Sequence, residues 1–133
     1  MHIRGAAAVL VLALAAACAP AQADPTGVRT VTVRIHHSSF EPTTIAAQPG
    51  LTLRFVIVNE DPIDHEFVVG DQALQDLHER GTEASHDPRP GEVTILAGQT
   101  VMTSYTFGTT DLLFGCHMPG HWAYGMRGVV LVG

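Results

Sequence analysis

Five side chains that bind soft metal ions lie within eleven residues, in the segment CHMPGHWAYGM. Three of them, Cys116, His121 and Met126, follow the spacing C-x4-H-x4-M. A thiolate, an imidazole and a thioether together form a soft to borderline ligand set, which is the kind that copper prefers. The spacing therefore predicts that a single loop supplies three ligands of one copper ion.

A trigonal copper site needs a second imidazole, because one cysteine and two histidines form its plane and a methionine binds weakly along its axis. The segment NEDPIDHEFVV places His65 just after a turn, at the head of a predicted strand. We expect this strand to pack beside the loop. Taken singly, each of these residues has an ordinary role in packing or at the surface. Their occurrence together in one loop favours the metal site.

Other kinds of site fit the same residues less well. Zinc sites prefer cysteine and histidine without methionine. A binuclear copper centre needs a second cysteine in the loop, and Gly120 stands where that cysteine is expected. A Cys-His hydrolase needs an orienting Asn or Asp and a nucleophilic thiol, for which the spacing gives no support. We therefore expect one copper ion as the cofactor, no catalytic residues and no enzymatic activity.

Residues 1–23 have the parts of a secretory signal peptide. Arg4 precedes a short apolar run at residues 6–17, and small residues at 21–23 form an A-x-A-like cleavage site. The apolar run is shorter than the roughly 20 residues that cross a bilayer. The segment LAAAC, which ends at Cys18, also resembles a bacterial lipobox, so a lipid-anchored form is an equal alternative.

Both interpretations place the domain, residues 24–133, outside the cytoplasm, in the periplasm or the extracellular space. Both also leave Cys116 without a partner cysteine in an oxidising compartment. An unpaired thiol there requires an explanation such as burial, catalysis or metal binding. The membrane is then expected as a partner only through a lipid anchor on Cys18.

The composition limits the size and the partners of the domain. The 133 residues suffice for one compact domain and are too few for two of ordinary size. The formal charge is −6, and all 13 acidic residues lie after residue 23. An acidic surface argues against nucleic acid as a partner and favours a basic protein.

Apolar residues after the leader recur with a period of two, which is the pattern of half-buried strands. Examples are VRTVTVRI (28–35), LTLRFVIV (51–58) and VMTSYTF (101–107), with turn residues between them. Five more short strands are predicted at Phe40–Ala46, Ile63–Val69, Glu92–Leu96, Asp111–Cys116 and Arg127–Val132. About eight short strands predict an all-β fold, a β-sandwich with Greek-key connections.

One polar stretch, DQALQDLHERGTEASHDPRPGE, interrupts the strand pattern. Ala73, Leu74 and Leu77 give its first part a narrow apolar stripe of helical spacing, and Gly81 is expected to end that helix. The rest, residues 82–91, is expected to be a loop. The sandwich is therefore predicted to carry a short helix-and-loop insert.

The residues after the leader resemble the cupredoxins, the family of type 1 copper proteins. The segment SSFEPTTIAAQPGLTLRFVIVNEDPIDHEF is similar to the N-terminal half of that family, with its F-x-P step, P-G turn, N-x-D corner and ligand histidine. The segment CHMPGHWAYGMRGVVLV is similar to its ligand loop, and the C-x4-H-x4-M spacing is that of rusticyanin-like members. The resemblance covers residues 28–132.

This resemblance implies an eight-stranded Greek-key sandwich, one copper ion and outer-sphere one-electron transfer. It also implies that His65, Cys116 and His121 are the ligands in the plane and that Met126 is the axial ligand. The electron is expected to pass through His121, beside an apolar docking patch formed by Met118, Pro119, Trp122 and Tyr124. Core packing is an equal alternative for Trp122 and Tyr124. A weak, transient contact with a redox protein suits this role, and we expect the chain to be a monomer.

The insert resembles a helix-and-loop insert of some periplasmic cupredoxins linked to copper tolerance. Its candidate ligands are His78, Glu79, Glu83, His86 and Asp87. A solvated acidic loop is one interpretation of these residues, and a second, weak metal site in a copper-resistance protein is the other. We interpret three further histidines as structural or exposed: His36, His37 and His117.

Overall fold

The computed structural model describes residues 27–81 and 88–133. Several residues named above fall outside this part of the chain: the whole leader of residues 1–23 with Cys18, and Glu83, His86 and Asp87 of the insert. No helix in the described part of the chain is long and apolar enough to cross a membrane.

Two β-sheets enclose the core. The four-stranded sheet contains, in spatial order, β2 (Phe40–Glu41), β1 (Val28–Ile35), β4 (Thr52–Asn59) and β7 (Thr100–Thr106). The five-stranded sheet contains, in spatial order, β3 (Thr44–Ala47), β9 (Arg127–Val132), β8 (Leu112–Gly115), β5 (His65–Gly70) and β6 (Glu92–Ile95). The chain crosses between the sheets after β2, β3, β4, β6 and β7, as Greek-key sandwiches do. The predicted fold class is confirmed.

Alternation along the strands fills the space between the sheets, because successive side chains of a strand point to opposite faces. β1 and β4 run parallel, and Val33, Ile35, Leu53, Phe55 and Ile57 are all completely buried. Five phenylalanines from both sheets and their loops join the same core: Phe40, Phe55, Phe67, Phe107 and Phe114. The core thus fixes the strands whose ends carry the candidate ligands.

The structure divides the predicted strand Phe40–Ala46 between the two sheets. β2 pairs with β1, whereas β3 pairs with β9 in the opposite sheet. Pro42 lies between them and has no N–H group with which to continue a ladder of hydrogen bonds. The described residues therefore contain nine strands instead of the predicted eight.

The insert begins with the predicted helix, α1 (Gln72–Glu79), and Asp71 caps it by accepting a hydrogen bond from an N–H group of its first turn. Gly81 follows the helix with a φ of 61°, which glycine adopts without strain. The buried face differs from the prediction, because Ala73 is exposed and Gln75 is completely buried. Hydrogen bonds to neighbouring strands explain the burial of this polar side chain.

Candidate metal centre

The candidate centre lies at one end of the sandwich, where β5 meets the loop between β8 and β9. His65 begins β5, and Cys116 directly follows β8. Nδ1 of His65 lies 3.9 Å from the Cys116 sulfur and 3.3 Å from Nδ1 of His121. Nδ1 of His121 lies 3.3 Å from the Cys116 sulfur. Within residues 27–81 and 88–133, this is the one group of His, Cys, Asp and Glu side chains close enough to share a metal ion.

The three donor atoms form a triangle of a size that fits one metal ion. The centre of this triangle, which is equally far from the three donor atoms, lies about 2.0 Å from each of them. This distance is close to a metal–nitrogen bond of about 2.0–2.1 Å and somewhat shorter than a metal–sulfur bond of about 2.3 Å. One thiolate and two imidazoles are a ligand set that suits copper. The side chains that the sequence singled out therefore fit a single copper ion.

Backbone hydrogen bonds close the loop that begins at Cys116 and ends at Met126. The Cys116 N–H donates to the Met126 carbonyl oxygen at 3.1 Å, and the Met126 N–H donates to the His121 carbonyl oxygen at 2.9 Å. The Met126 side chain is buried in the same core cluster as Cys116. These contacts draw the three loop residues together, while the role of Met126 as axial ligand stays a prediction.

Burial and hydrogen bonding act in opposite directions on the Cys116 thiol. The side chain is completely buried, and this burial raises the pKa of the thiol above its ordinary value. The backbone N–H groups of Glu66 and Met118 partly offset the effect, the former at an N···S distance of 3.3 Å. A metal ion that binds here must therefore displace a proton, and the same N–H groups then stabilise the thiolate.

A carboxylate holds the far side of the His65 ring. Nε2 of His65 lies 3.0 Å from Oδ2 of Asp61, and both side chains are buried. Burial lowers the pKa of His65, because it disfavours the charged imidazolium, and the hydrogen bond to Asp61 opposes this effect only in part. Burial would raise the pKa of Asp61, but hydrogen bonds from the N–H groups of Ser38 and His37 and from His65 hold that pKa below its usual value. Both pKa directions favour an ionised Asp61 beside a neutral His65 ring.

Asp61 was not predicted to belong to the site, although it is the last residue of the N-x-D corner. The available signal was its position in a turn, four residues before a candidate ligand. His37 was interpreted as structural, and its backbone N–H indeed binds Asp61 at 2.7 Å, while its side chain is exposed.

Cys116, His65 and Asp61 together resemble the nucleophile, base and orienting acid of a cysteine hydrolase. The spacing of the residues indicated no orienting acid, and the structure supplies one. The state of the thiol nevertheless disfavours catalysis, since reactive cysteines are partly exposed and have a lowered pKa. Cys116 is completely buried and its pKa is raised. The group is better suited to hold an ion than to attack a substrate.

The insert fixes His117, which follows Cys116. Nε2 of His117 lies 2.7 Å from Oε1 of Gln75, whose amide nitrogen donates to the carbonyl oxygen of Val68. Nδ1 of His117 lies 3.1 Å from a carboxylate oxygen of Glu79. The ring also stacks on Trp122, with ring centroids 4.9 Å apart. The helix α1 thereby supports the strand end that carries the thiol.

The described half of the insert brings no second group of metal ligands together. Nε2 of His78 lies 3.8 Å from Oε2 of Glu92, and the His78 ring lies beside that of His117 with centroids 5.5 Å apart. Glu79 contacts His117. Since His86 falls outside the described residues, the second metal site stays a hypothesis.

The loop that carries His121 contains both half-buried and exposed side chains. His121, Met118 and Trp122 are half-buried, Pro119 is exposed, and the Tyr124 side chain is 92% exposed. Tyr124 therefore does not serve core packing. His121 is the most accessible of the three donor side chains, and the residues of the predicted docking patch belong to the same loop. The docking patch stays a prediction.

The pKa directions predict how the stability of the metal-free protein depends on pH. Unfolded His65 binds a proton below about pH 6.5, whereas the folded residue resists protonation, so stability is lost as the pH falls below that value. Folded Cys116 keeps its proton where the unfolded thiol loses it, above about pH 8.5, so stability is also lost as the pH rises further. Each group changes the free energy of unfolding by at most about 1.4 kcal/mol per pH unit.

Urea unfolding of the metal-free protein across this pH range measures the effect, and stability is expected to be highest between the two values. Cys116→Ser is the control for the loss of stability above about pH 8.5. This variant should lack that loss and keep the loss of stability at acidic pH. A loss of stability above pH 8.5 that persists unchanged in Cys116→Ser would contradict the assignment.

A family model described as a cupredoxin-like domain matches residues 5–96, a range that stops before the loop containing Cys116. A curated relative is the copper-resistant cuproprotein CopI of Rubrivivax gelatinosus, which is 37% identical over 108 residues. This alignment covers 76% of the present chain, and the chain spans 66% of the length of that relative.

Solved structures show the same fold at low sequence identity. Auracyanin B superposes with a TM-score of 0.66 and 19% identity, over 78% of this chain and 88% of that one. Reduced rusticyanin superposes with a TM-score of 0.53 and 15% identity, over 80% of each chain. These solved structures therefore share the fold of the chain, in agreement with the cupredoxin-like family model.

Proposed function

The chain belongs to the family of cupredoxin-like domains, and from that premise we propose that it binds one copper ion in a type 1 site and transfers single electrons outside the cytoplasm. The convergence of His65, Cys116 and His121 carries this proposal, since their donor atoms lie 3.3–3.9 Å apart. When bound, the copper ion supplies a Cu(II)/Cu(I) couple for one-electron transfer. The proposed function is that of a carrier and not of an enzyme.

Each proposed ligand has a distinct role. Cys116 would provide a thiolate ligand, and His65 and His121 would provide neutral imidazole ligands. Met126 would add a weak thioether ligand. The N–H group of Glu66 donates to the thiolate, which favours the reduced state by stabilising charge on sulfur.

The protein scaffold holds the donor atoms together without relying on the metal. His65 is anchored by β5 and Cys116 by the end of β8, and both side chains are completely buried. The loop is closed by backbone hydrogen bonds between Cys116, His121 and Met126. A site held in this way would rearrange little between the two oxidation states of the ion, which would favour fast electron transfer.

In this proposal, the electron would enter and leave the site through His121. Its side chain is the accessible one of the three, and Met118, Pro119, Trp122 and Tyr124 belong to the same loop. Such a small patch suits a weak and transient complex with a redox protein. The acidic composition of the chain favours a basic partner. We propose a monomer in the periplasm or extracellular space, whose one link to the membrane would be a lipid on Cys18.

Copper resistance is the second candidate function. It is favoured by the printed name of the relative from Rubrivivax gelatinosus, a copper-resistant cuproprotein. In that case the chain captures copper, and its redox chemistry is incidental. An additional weak site that uses His78 and His86 would accompany this role.

Copper titration of the purified metal-free protein, followed by visible absorption and then by voltammetry, tests both candidates. The electron carrier is expected to bind one copper per chain, to develop intense visible absorption and to give a reversible one-electron couple. Binding of further copper ions that His78→Ala with His86→Ala removes would favour the resistance role. Tight copper binding without visible absorption would contradict the type 1 site.

A further inference from the structure

We propose that Asp61 is a positioning residue of the metal centre, which fixes the proton of His65 on Nε2 and lowers the reduction potential of the bound copper. The inference deepens the proposed function and rests on it. Its starting point is the contact between Oδ2 of Asp61 and Nε2 of His65 at 3.0 Å. On the opposite side of the ring, Nδ1 faces the sulfur of Cys116 and the ring of His121.

The contact determines which nitrogen of His65 is free. A carboxylate accepts hydrogen bonds and cannot donate them, so the proton of the neutral ring must lie on Nε2. The lone pair then lies on Nδ1, which is the nitrogen turned toward Cys116. Both side chains are buried, so water does not compete for the hydrogen bond. Carboxylates that bind the outer nitrogen of a metal-ligating histidine fix its tautomer and its orientation in this way.

Asp61 is itself held rigidly. The N–H group of His37 donates to its Oδ1 and that of Ser38 to its Oδ2, both at 2.7 Å. These two residues have φ values of 52°, an unusual conformation outside glycine. Successive N–H groups that converge in such a turn form a small anion-binding concavity. The backbone of Asp61 is fixed as well, because its N–H donates to the side chain of Asn59 at 3.0 Å.

Asn59 connects this turn to the neighbouring strand. Its amide nitrogen lies 2.8–3.2 Å from the carbonyl oxygens of Ile63, Ile95 and Leu96. The side chain is 2% exposed. The carboxylate of Asp61 therefore belongs to a buried network, and its placement against His65 does not depend on a flexible surface loop.

The charge of Asp61 has a consequence for the redox couple. A fixed negative charge beside a ligand makes the imidazole a stronger donor. A stronger donor and a nearby negative charge both favour the more highly charged oxidised ion. Removing the charge should therefore weaken the binding of Cu(II) more than that of Cu(I), which raises the reduction potential.

Asp61→Asn tests the proposal, because the amide keeps the shape and loses the charge. We expect the affinity for Cu(II) to fall at least tenfold relative to that for Cu(I), and a tenfold change equals about 59 mV for a one-electron couple. The matched control is Asp64→Asn, which removes an equal charge in the same turn. The Asp64 carboxylate is exposed and accepts a hydrogen bond from the Ala97 N–H at 2.8 Å. Equal shifts in the two variants would overturn the proposal.

Nitrogen NMR of the metal-free wild-type protein provides a second, independent test. We expect the His65 proton on Nε2, and a proton on Nδ1 would overturn the proposal even if Asp61→Asn fails to fold. The two proposals fail in different ways. A wild-type protein that binds no copper would refute the proposed function, whereas the tautomer of His65 would still decide whether Asp61 positions this ring.

Discussion

Replacing Cys116 with serine is expected to abolish the intense visible absorption of the copper-loaded protein. The absorption of a type 1 site requires a thiolate in the copper plane, and serine offers only a hydroxyl group. Loss of a residue that hydrogen-bonds to a metal ligand weakens metal binding roughly 10- to 100-fold. Loss of the Cys116 ligand itself should weaken copper binding by more than that. Visible spectroscopy during a copper titration measures both effects.

The controls for this substitution separate the loss of a ligand from the loss of the fold. Serine is nearly isosteric with cysteine, so the metal-free variant should keep the β-sheet circular dichroism of the wild type. Met118→Leu alters a half-buried neighbour that is not a proposed ligand, and it should keep the colour. A Cys116→Ser protein that retains the visible band would refute the proposed ligand set.

Phe67→Ala is expected to lower the free energy of unfolding more than any other substitution proposed here. Phe67 is completely buried, and its ring centroid lies 5.1–5.7 Å from those of Phe40, Phe55 and Phe114. Truncating a buried phenylalanine costs about 3–5 kcal/mol, because apolar area is lost and a cavity remains. Domains of this kind are stable by only about 5–15 kcal/mol. The midpoint of thermal unfolding should therefore fall by at least about 12 °C.

Tyr124→Ala is the matched control for this prediction, since it truncates an aromatic side chain that is 92% exposed. Surface changes of this kind usually alter stability by no more than about 0.5 kcal/mol. Thermal unfolding of the metal-free proteins, followed by circular dichroism, compares the two. Equal losses in both variants would mean that the inner face of β5 does not carry the core.

The sequence predicted the strands and the three clustered donor residues for different physical reasons. Period-two alternation marks half-buried strands without knowledge of their neighbours, so the inward faces of β1 and β4 were recognised. The donors were recognised by their chemical rarity in one loop. The division at Pro42 was missed, because alternation does not tell which sheet a strand joins.

The supporting contacts could not be read from the sequence in the same way. Gln75 is polar, and its burial depends on carbonyl oxygens of β5 and β8 and on the ring of His117. Asp61 lies in an ordinary turn sequence, and its significance arises when Ser38 and His65 meet it. The roles of both residues depend on contacts that form only in the folded protein. The period of apolar residues along the sequence does not predict such contacts.

The donor atoms of the centre come from two segments that lie 51 residues apart, at Cys116 and His65. In the unfolded chain these donor atoms are far apart and do not form a common site. Copper therefore binds the native state in preference to the denatured state. Mass action then couples the two equilibria, and native stability grows with the logarithm of the free ion concentration. Resistance to heat and to proteolysis would thus report how much copper surrounds the molecule.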